Sequence, residues 1–285
     1  STISREIKRN KGMRGYRPKQ AEELSTQRRR KAYKAIKWTN SVEDRIAVLL
    51  SKRWSPEQIS KRLVKNAEAQ ISHQRIYEFV QEDKIRGGDL YTYLRQGKKK
   101  RRKKYGKSGS KRGQIINRVS ISERPEYINT RQEYGHWEGD TIIGKNHKRA
   151  MITLVERKSG FTIIKKVASR KSEIVSAQII SVMGKYKSKV KSITFDNGLE
   201  FADHEIISKS LKCDIYFADP YSSWQRGTSE NTNGLIRQYF PKGSDFDMYS
   251  DEDILKTMNS LNDRPRKRLD FYTPNETPLR KRCCT

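Results

Sequence analysis

His136-Trp137-Glu138-Gly139-Asp140-Thr141-Ile142-Ile143-Gly144 reads as a β-strand with a carboxylate set inside it. A charged group at position 140 is costly there unless it is paired or bound to a metal, which makes Asp140 more than framework. Outward from this run, strands are expected at 150–158 and 160–168, joined through 145–149 and 158–160 as a meander. Residues 172–187 then carry Ile174, Val175, Ala177, Ile179, Ile180 and Met183 at helical spacing, and 190–195 returns to strand, stopping at Asp196-Asn197-Gly198. A helix at 204–211 and a strand at 213–218 follow. Strands in a run, then helix and strand in alternation, predict a mixed α/β sheet covered by helices, with functional residues at strand ends.

The chain before position 120 is of another kind. Of 285 residues with net charge +29, residues 1–119 hold 34 Lys and Arg against 11 Asp and Glu, whereas 120–285 hold 28 against 22. Such an excess favours a polyanion, because each phosphate neutralised releases condensed counterions. Nucleic acid leads; a solvated basic surface or anionic lipid is the alternative, the latter weakened because no apolar amphipathic face accompanies the charge. The longest apolar run, 151–155 with Thr153 inside it, is far short of the roughly 20 residues of a membrane span. Cys213, Cys283 and Cys284 offer neither a disulfide framework nor zinc spacing, so a reduced, cytoplasmic setting is expected. The start at Ser1, without Met and without a charged-then-apolar leader, reads as clipped and not secretory.

Val42, Ile46, Leu49 and Leu50, then Ile59 and Leu63, recur at helical spacing. Ser55-Pro56-Glu57-Gln58 supplies an N-cap hydroxyl, a proline where no N–H is needed and a Gln that closes a capping box, so a helix is predicted over 56–65. Ser72 caps a further helix that turns Ile76, Phe79 and Val80 inward and crowds His73, Gln74 and Arg75 into its first turn. This is a helix-turn-helix pattern, in which those three side chains would reach base edges; a plain helical hairpin is the alternative. Residues 1–10 suggest another recognition helix, with Ile3 and Ile7 on one face and Ser4, Arg5, Lys8 and Arg9 available for phosphate or base contact, its partner helix expected upstream. Residues 97–119 contain no acid and read as a flexible basic linker. The expected domains are therefore a truncated first helix-turn-helix with basic segment at 1–40, a second helix-turn-helix at 41–96, the linker at 97–119 and a catalytic domain at 120–285.

Two further carboxylates stand out by position. Asp196 closes a strand at an Asn-Gly turn, and Glu230 opens a predicted helix on which Arg237 returns to the same face. Singly, Asp196 could be a turn former and Glu230 a favourable charge at a helix N-terminus. Together with Asp140 they could hold two Mg²⁺ or Mn²⁺ ions about 4 Å apart, the chemistry of phosphodiester cleavage. Hard oxygen ligands select such ions over zinc.

HWEGDTIIGK at 136–145, TLVERKSG at 153–160, ITFDNGLEF at 193–201, YFADPYSSWQRGTSENTNGLIRQYFPKG at 216–243, LNDRPRK at 261–267 and TPNE at 273–276 resemble the DDE transposases of bacterial insertion sequences, specifically the family named for insertion sequence thirty. The 33 residues between Asp196 and Glu230 agree with the resemblance, as does a basic residue seven beyond the Glu. The resemblance implies an RNase H-like catalytic domain whose acids and metal ligands are Asp140, Asp196 and Glu230. It adds Arg237, Trp224, Arg226 and Asn231 as residues at the substrate, with Mg²⁺ or Mn²⁺ as cofactor. It implies an enzyme that binds terminal inverted repeats, cuts strands at element ends and joins the 3′-hydroxyl to target DNA, working as a homo-oligomer in a synaptic complex at the bacterial nucleoid, away from membranes. The rivals are a non-catalytic DNA-binding repressor and an RNase H-like nuclease that needs no strand transfer.

Overall fold

The first helix, α1 (Thr2–Asn10), closes on a buried Asn10, whose amide donates to Glu6 one turn back at 2.5 Å and whose carbonyl oxygen accepts from Arg28. The structure is a computed structural model, and it describes residues 2–31, 38–95, 115–147, 149–220 and 222–278. A short hairpin, β1 (Lys11–Gly12) with β2 (Gly15–Tyr16), leads into α2 (Pro18–Lys31), which starts on the proline that its missing N–H suits. These elements belong to a first unit, residues 1–42; α2 and the hairpin have no counterpart among the sequence expectations. Ser4, Arg5, Lys8 and Arg9 are exposed on α1, and so are Ile3 and Ile7.

The second unit, residues 43–285, begins within α3 (Asn40–Ser51) and continues through α4 (Pro56–Lys65) and α5 (His73–Ile85). The capping box at Ser55 and Gln58 forms as expected, and Ser72 caps α5 through the Arg75 N–H. Ile46, Leu49, Leu50, Ile59, Leu63, Ile76, Phe79 and Val80 are all buried. The Ser60 hydroxyl donates to the Ile71 carbonyl at 2.6 Å, fixing the link between α4 and α5.

Beyond these helices the expected meander forms: β3 (His136–Ile143), β4 (Ala150–Glu156) and β5 (Thr162–Val167) pair antiparallel. Then come α6 (Ser172–Gly184), β6 (Ser192–Phe195), α7 (His204–Leu211), β7 (Asp214–Phe217), α8 (Gly227–Ile236) and α9 (Asp251–Asn262). β6 and β7 join in parallel, giving the sheet order β5-β4-β3-β6-β7. This mixed sheet is the expected RNase H-like arrangement, with β3 central and two strands on either side of it. Alternation along β3 sorts its two faces. Trp137 joins Ile193, Phe195, Val175, Ile179 and Ile207 on the side of α6 and α7, while Ile142 joins Met151, Leu235, Ile236 and Ile254 on the side of α8 and α9.

Three differences from expectation have plain causes. Ile115 is buried in the main core and the Val119 carbonyl accepts from Phe217 N, so residues 115–119 are part of the domain and not linker; residues 97–114 of the expected linker lie outside the described residues, as do Cys283 and Cys284. Strand ends coincide with the expected limits or fall one or two residues inside them, where ladder pairing stops. Helix α9, capped by Ser250, was not expected; it covers β5 and the α8 side of the sheet. Among the described residues no helix is long and apolar enough to cross a membrane.

Candidate active site

Parallel pairing decides where the first two acids meet. β3 and β6 are registered His136 to Ser192, Trp137 to Ile193 and Glu138 to Thr194. Carried two residues further, the same register sets Asp140 at the level of Asp196, which follows the last residue of β6. Gly139, between the paired segment and Asp140, lies so close to the Phe195 ring that a Cβ would overlap it, and this close approach is what a glycine permits. Asp196 is oriented by its own turn: its Oδ1 accepts from Gly198 N at 3.1 Å, and the Asn197 amide donates to the Ala218 carbonyl at 2.5 Å.

Both aspartates face one cation. Arg226 Nη1 lies 3.4 Å from Asp140 Oδ2 and its Nη2 lies 3.5 Å from Asp196 Oδ2, while Nη1 also donates to the Gly139 carbonyl at 3.2 Å. Asp140 is further held by Thr141 N at 2.8 Å on Oδ1 and by the Asn233 amide at 2.9 Å on Oδ2. Burial pushes the Asp140 carboxyl up to about 6 from its ordinary 3.8; Arg226 opposes the rise and Asp196 reinforces it. One guanidinium thus lies within 3.5 Å of an oxygen of each carboxylate, and hard oxygen donors of this kind suit a divalent ion.

Glu230 does not join them. It is exposed in the first turn of α8, and among the described residues no cluster of three His, Cys, Asp or Glu side chains is placed to hold a metal ion. The α8 side chain that does reach Asp140 is Asn233, one turn beyond Glu230 on a neighbouring part of the same face. Asn233 also accepts from the Thr153 hydroxyl at 3.0 Å, so it links α8, β3 and β4. The sequence reading missed Asn233; its spacing from Glu230 was the signal available.

Glu138, two residues before Asp140 on the same face of β3, is wholly buried. It accepts from Arg157 Nε at 3.1 Å and from Ser229 N at 2.8 Å, and Arg157 donates onward to the Ile128 carbonyl. This pair docks the start of α8 on the sheet. A charge inside the strand therefore has two meanings here: Glu138 is paired structure, whereas Asp140 remains partly exposed.

The remaining expected residues scatter around this centre. Arg237 follows the last residue of α8 and donates to the carbonyls of Ile143 and Pro241, with its guanidinium half-buried and its pKa lowered by burial. It sits two turns, about 10 Å, along the axis from Glu230, level with the end of β3 and not with Asp140. Trp224 is exposed, and Asn231 accepts from Arg95 at 3.0 Å. On α5, His73 and Gln74 are exposed, but Arg75 is engaged by Glu82 at 2.7 Å and Glu78 at 3.6 Å.

A central strand and its parallel neighbour carry two level aspartates on an RNase H-like sheet, and residues 130–223, which span both, match the family model described as integrase core domain. The chain is 44% identical over 282 residues to the transposase for insertion sequence element IS4351 of Bacteroides fragilis, covering 97% of this chain and 85% of that one. It is 36% identical over 288 residues to transposase InsI for insertion sequence element IS30A of Escherichia coli K12, covering 97% and 74%. The catalytic core domain of BIV integrase is similar to 50% of this chain over 91% of its own, at 22% identity and a TM-score of 0.40. The chain belongs to the insertion sequence thirty family of transposases.

Proposed function

We propose that this chain is a DNA transposase that binds the terminal inverted repeats of its own element, hydrolyses a strand at the element ends and joins the freed 3′-hydroxyl to target DNA. The observation that carries the reading is the single cation, Arg226, shared by Asp140 and Asp196. Asp140 and Asp196 would hold Mg²⁺ or Mn²⁺; Glu230, expected as the third ligand, stands apart from them on α8 and would have to move to complete the set. Such ions supply activation of the attacking oxygen and stabilisation of the leaving oxygen.

The chain's own residues prepare that site. Asn233 and Thr141 N fix the Asp140 carboxylate, Gly198 N fixes Asp196, and Arg226 offsets the charge of both at the place a divalent cation would take. The exposed His73 and Gln74 on α5 support base reading by the second helix-turn-helix, expected over 41–96, and the exposed basic side chains of α1 support phosphate contact by the segment 1–40. Arg237, tied to backbone carbonyls, acts by fixing the end of α8 on β3 in preference to touching a phosphate. The protein would work at the nucleoid as a homo-oligomer that brings two element ends together.

Asp196→Asn tests the proposal. The variant should lose Mg²⁺-dependent nicking of a labelled element end and keep the band shift on the same DNA; normal cleavage would remove Asp196 from the mechanism. The separation of Glu230 from the aspartates is the observation that favours a non-catalytic repressor, and wild-type protein that shifts the DNA but never nicks it would establish that reading.

A further inference from the structure

Between the α3–α4 corner, α5 and α8 lies a cleft of 620 Å³, within the roughly 300–1,000 Å³ of sites that take small ligands. Its charge is of one sign: Arg53, Arg95, Arg264 and Arg266 line it, and no carboxylate is among its described lining residues. Two of these arginines are costly. Arg264 is 3% exposed and Arg266 9%, and the Nε of each is buried without a hydrogen-bond partner. Their other contacts are neutral, Arg264 to the Gln238 side chain at 3.1 Å and Arg266 to the Leu261 carbonyl at 2.9 Å. Burial lowers both guanidinium pKa values, with the neighbouring Arg264 charge adding to the effect on Arg266. A guanidinium keeps its proton in a protein, so the cleft holds buried positive charge with no counter-ion among its described lining residues.

Three aromatic side chains, Trp54, Tyr77 and Tyr93, share the same walls. Cations without acids call for an anion, and planar rings among them call for a planar partner; a nucleotide combines the two. Asn231 also lines the cleft, directly after Glu230, which puts it beside the first turn of α8. The volume excludes a base pair with both its backbones but admits one nucleotide.

We propose that this cleft binds an unpaired nucleotide of the DNA strand, with its phosphate on Arg264 and Arg266 and its base among Trp54, Tyr77 and Tyr93. The identity of the strand rests on the transposase reading; the chemistry of the cleft does not. A base already unpaired at a nicked or frayed end enters at least cost, so the cleft would favour such ends over intact duplex.

The test uses the full chain in EDTA, where no cleavage occurs. Short labelled oligo(dT) and a duplex of equal length are compared by fluorescence anisotropy, with Tyr77→Ala and Arg95→Gln as variants because both side chains are exposed. Each variant should weaken oligo(dT) binding roughly ten-fold while duplex binding changes less than about two-fold. Iodouracil-substituted oligo(dT) should photo-crosslink wild-type protein at Trp54, Tyr77 or Tyr93. Equal losses for both DNAs, or crosslinks that fall elsewhere, would overturn the proposal; should a variant melt early, the wild-type crosslink decides. Nicking of element ends without a cleft crosslink would leave the transposase standing and remove the cleft, whereas a cleft crosslink without nicking would do the reverse.

Discussion

Asn233 donates to Asp140 Oδ2 at 2.9 Å and so ties α8 to the middle of β3. That bond makes the helix carrying Glu230 a structural partner of the strand carrying the first aspartate. Asn233→Ala should cost about 1–2 kcal/mol in urea unfolding, since it also removes the nearer of the two acceptors of the Thr153 hydroxyl and leaves only the Asp140 carbonyl at 3.3 Å. Glu230→Gln, at an exposed position, should leave stability unchanged and still depress cleavage.

Asp140 gives a pH signature. Its carboxyl is raised to about 6 from 3.8, so the folded state binds the proton more tightly than the unfolded state does. The sign follows: the ionised form is a penalty that is absent below the unfolded pKa, grows between about 4 and 6, and is complete above 6. Asp140→Asn should therefore raise metal-free stability by about 1–3 kcal/mol at pH 8 and give no gain near pH 3.5, read from melting curves across that range. A gain that is the same at both ends would show that burial of the charge is not the cause.

Arg226 competes with any cation for the two aspartates. Arg226→Gln should tighten Mn²⁺ binding several-fold, measured by calorimetry on the DNA-free protein, because the ion no longer displaces a fixed positive charge. Unchanged or weaker binding would mean that the ion sits elsewhere.

Glu138 and Arg157 form a pair buried on both sides. Arg157→Leu leaves a wholly buried carboxylate without its counter-ion and should cost about 3–5 kcal/mol. The double variant Glu138→Gln, Arg157→Leu should recover part of that loss, and a double-mutant cycle in urea measures it.

The sheet was legible in the sequence because strand alternation, Gly-containing turns and helical spacing are local signals. The meander from His136 to Val167, the α7 limits and the Ser55 cap all follow from residues adjacent in the chain. Ile115 escaped because two adjacent apolar side chains, Ile115 and Ile116, after a basic run have no periodicity to mark which is buried, though Ile115 reaches the main core. At the site, a carboxylate within a strand is equally visible at 138 and at 140; only the distant Arg157, and Arg226 between two acids, separate paired structure from a cation-facing group. Nor does a helical wheel reveal which turn of α8 meets Asp140, because the axial offset is set by Ser229 N on Glu138. Asn233 thus lands where Glu230 was expected.

The α4 contacts have a mechanical consequence. Arg62 grips Glu276 through two bonds of 2.9 and 2.6 Å and donates to the Phe271 carbonyl, Gln58 donates to the Pro265 carbonyl, and Lys65 pairs with Asp270 at 2.7 Å. Under the proposed function, the helices that would read sequence are bolted to the frame that carries the two aspartates. The span from His73 to Asp140 then behaves as a gauge: the bases recognised would dictate, by rigid offset, which phosphodiester comes under the blade.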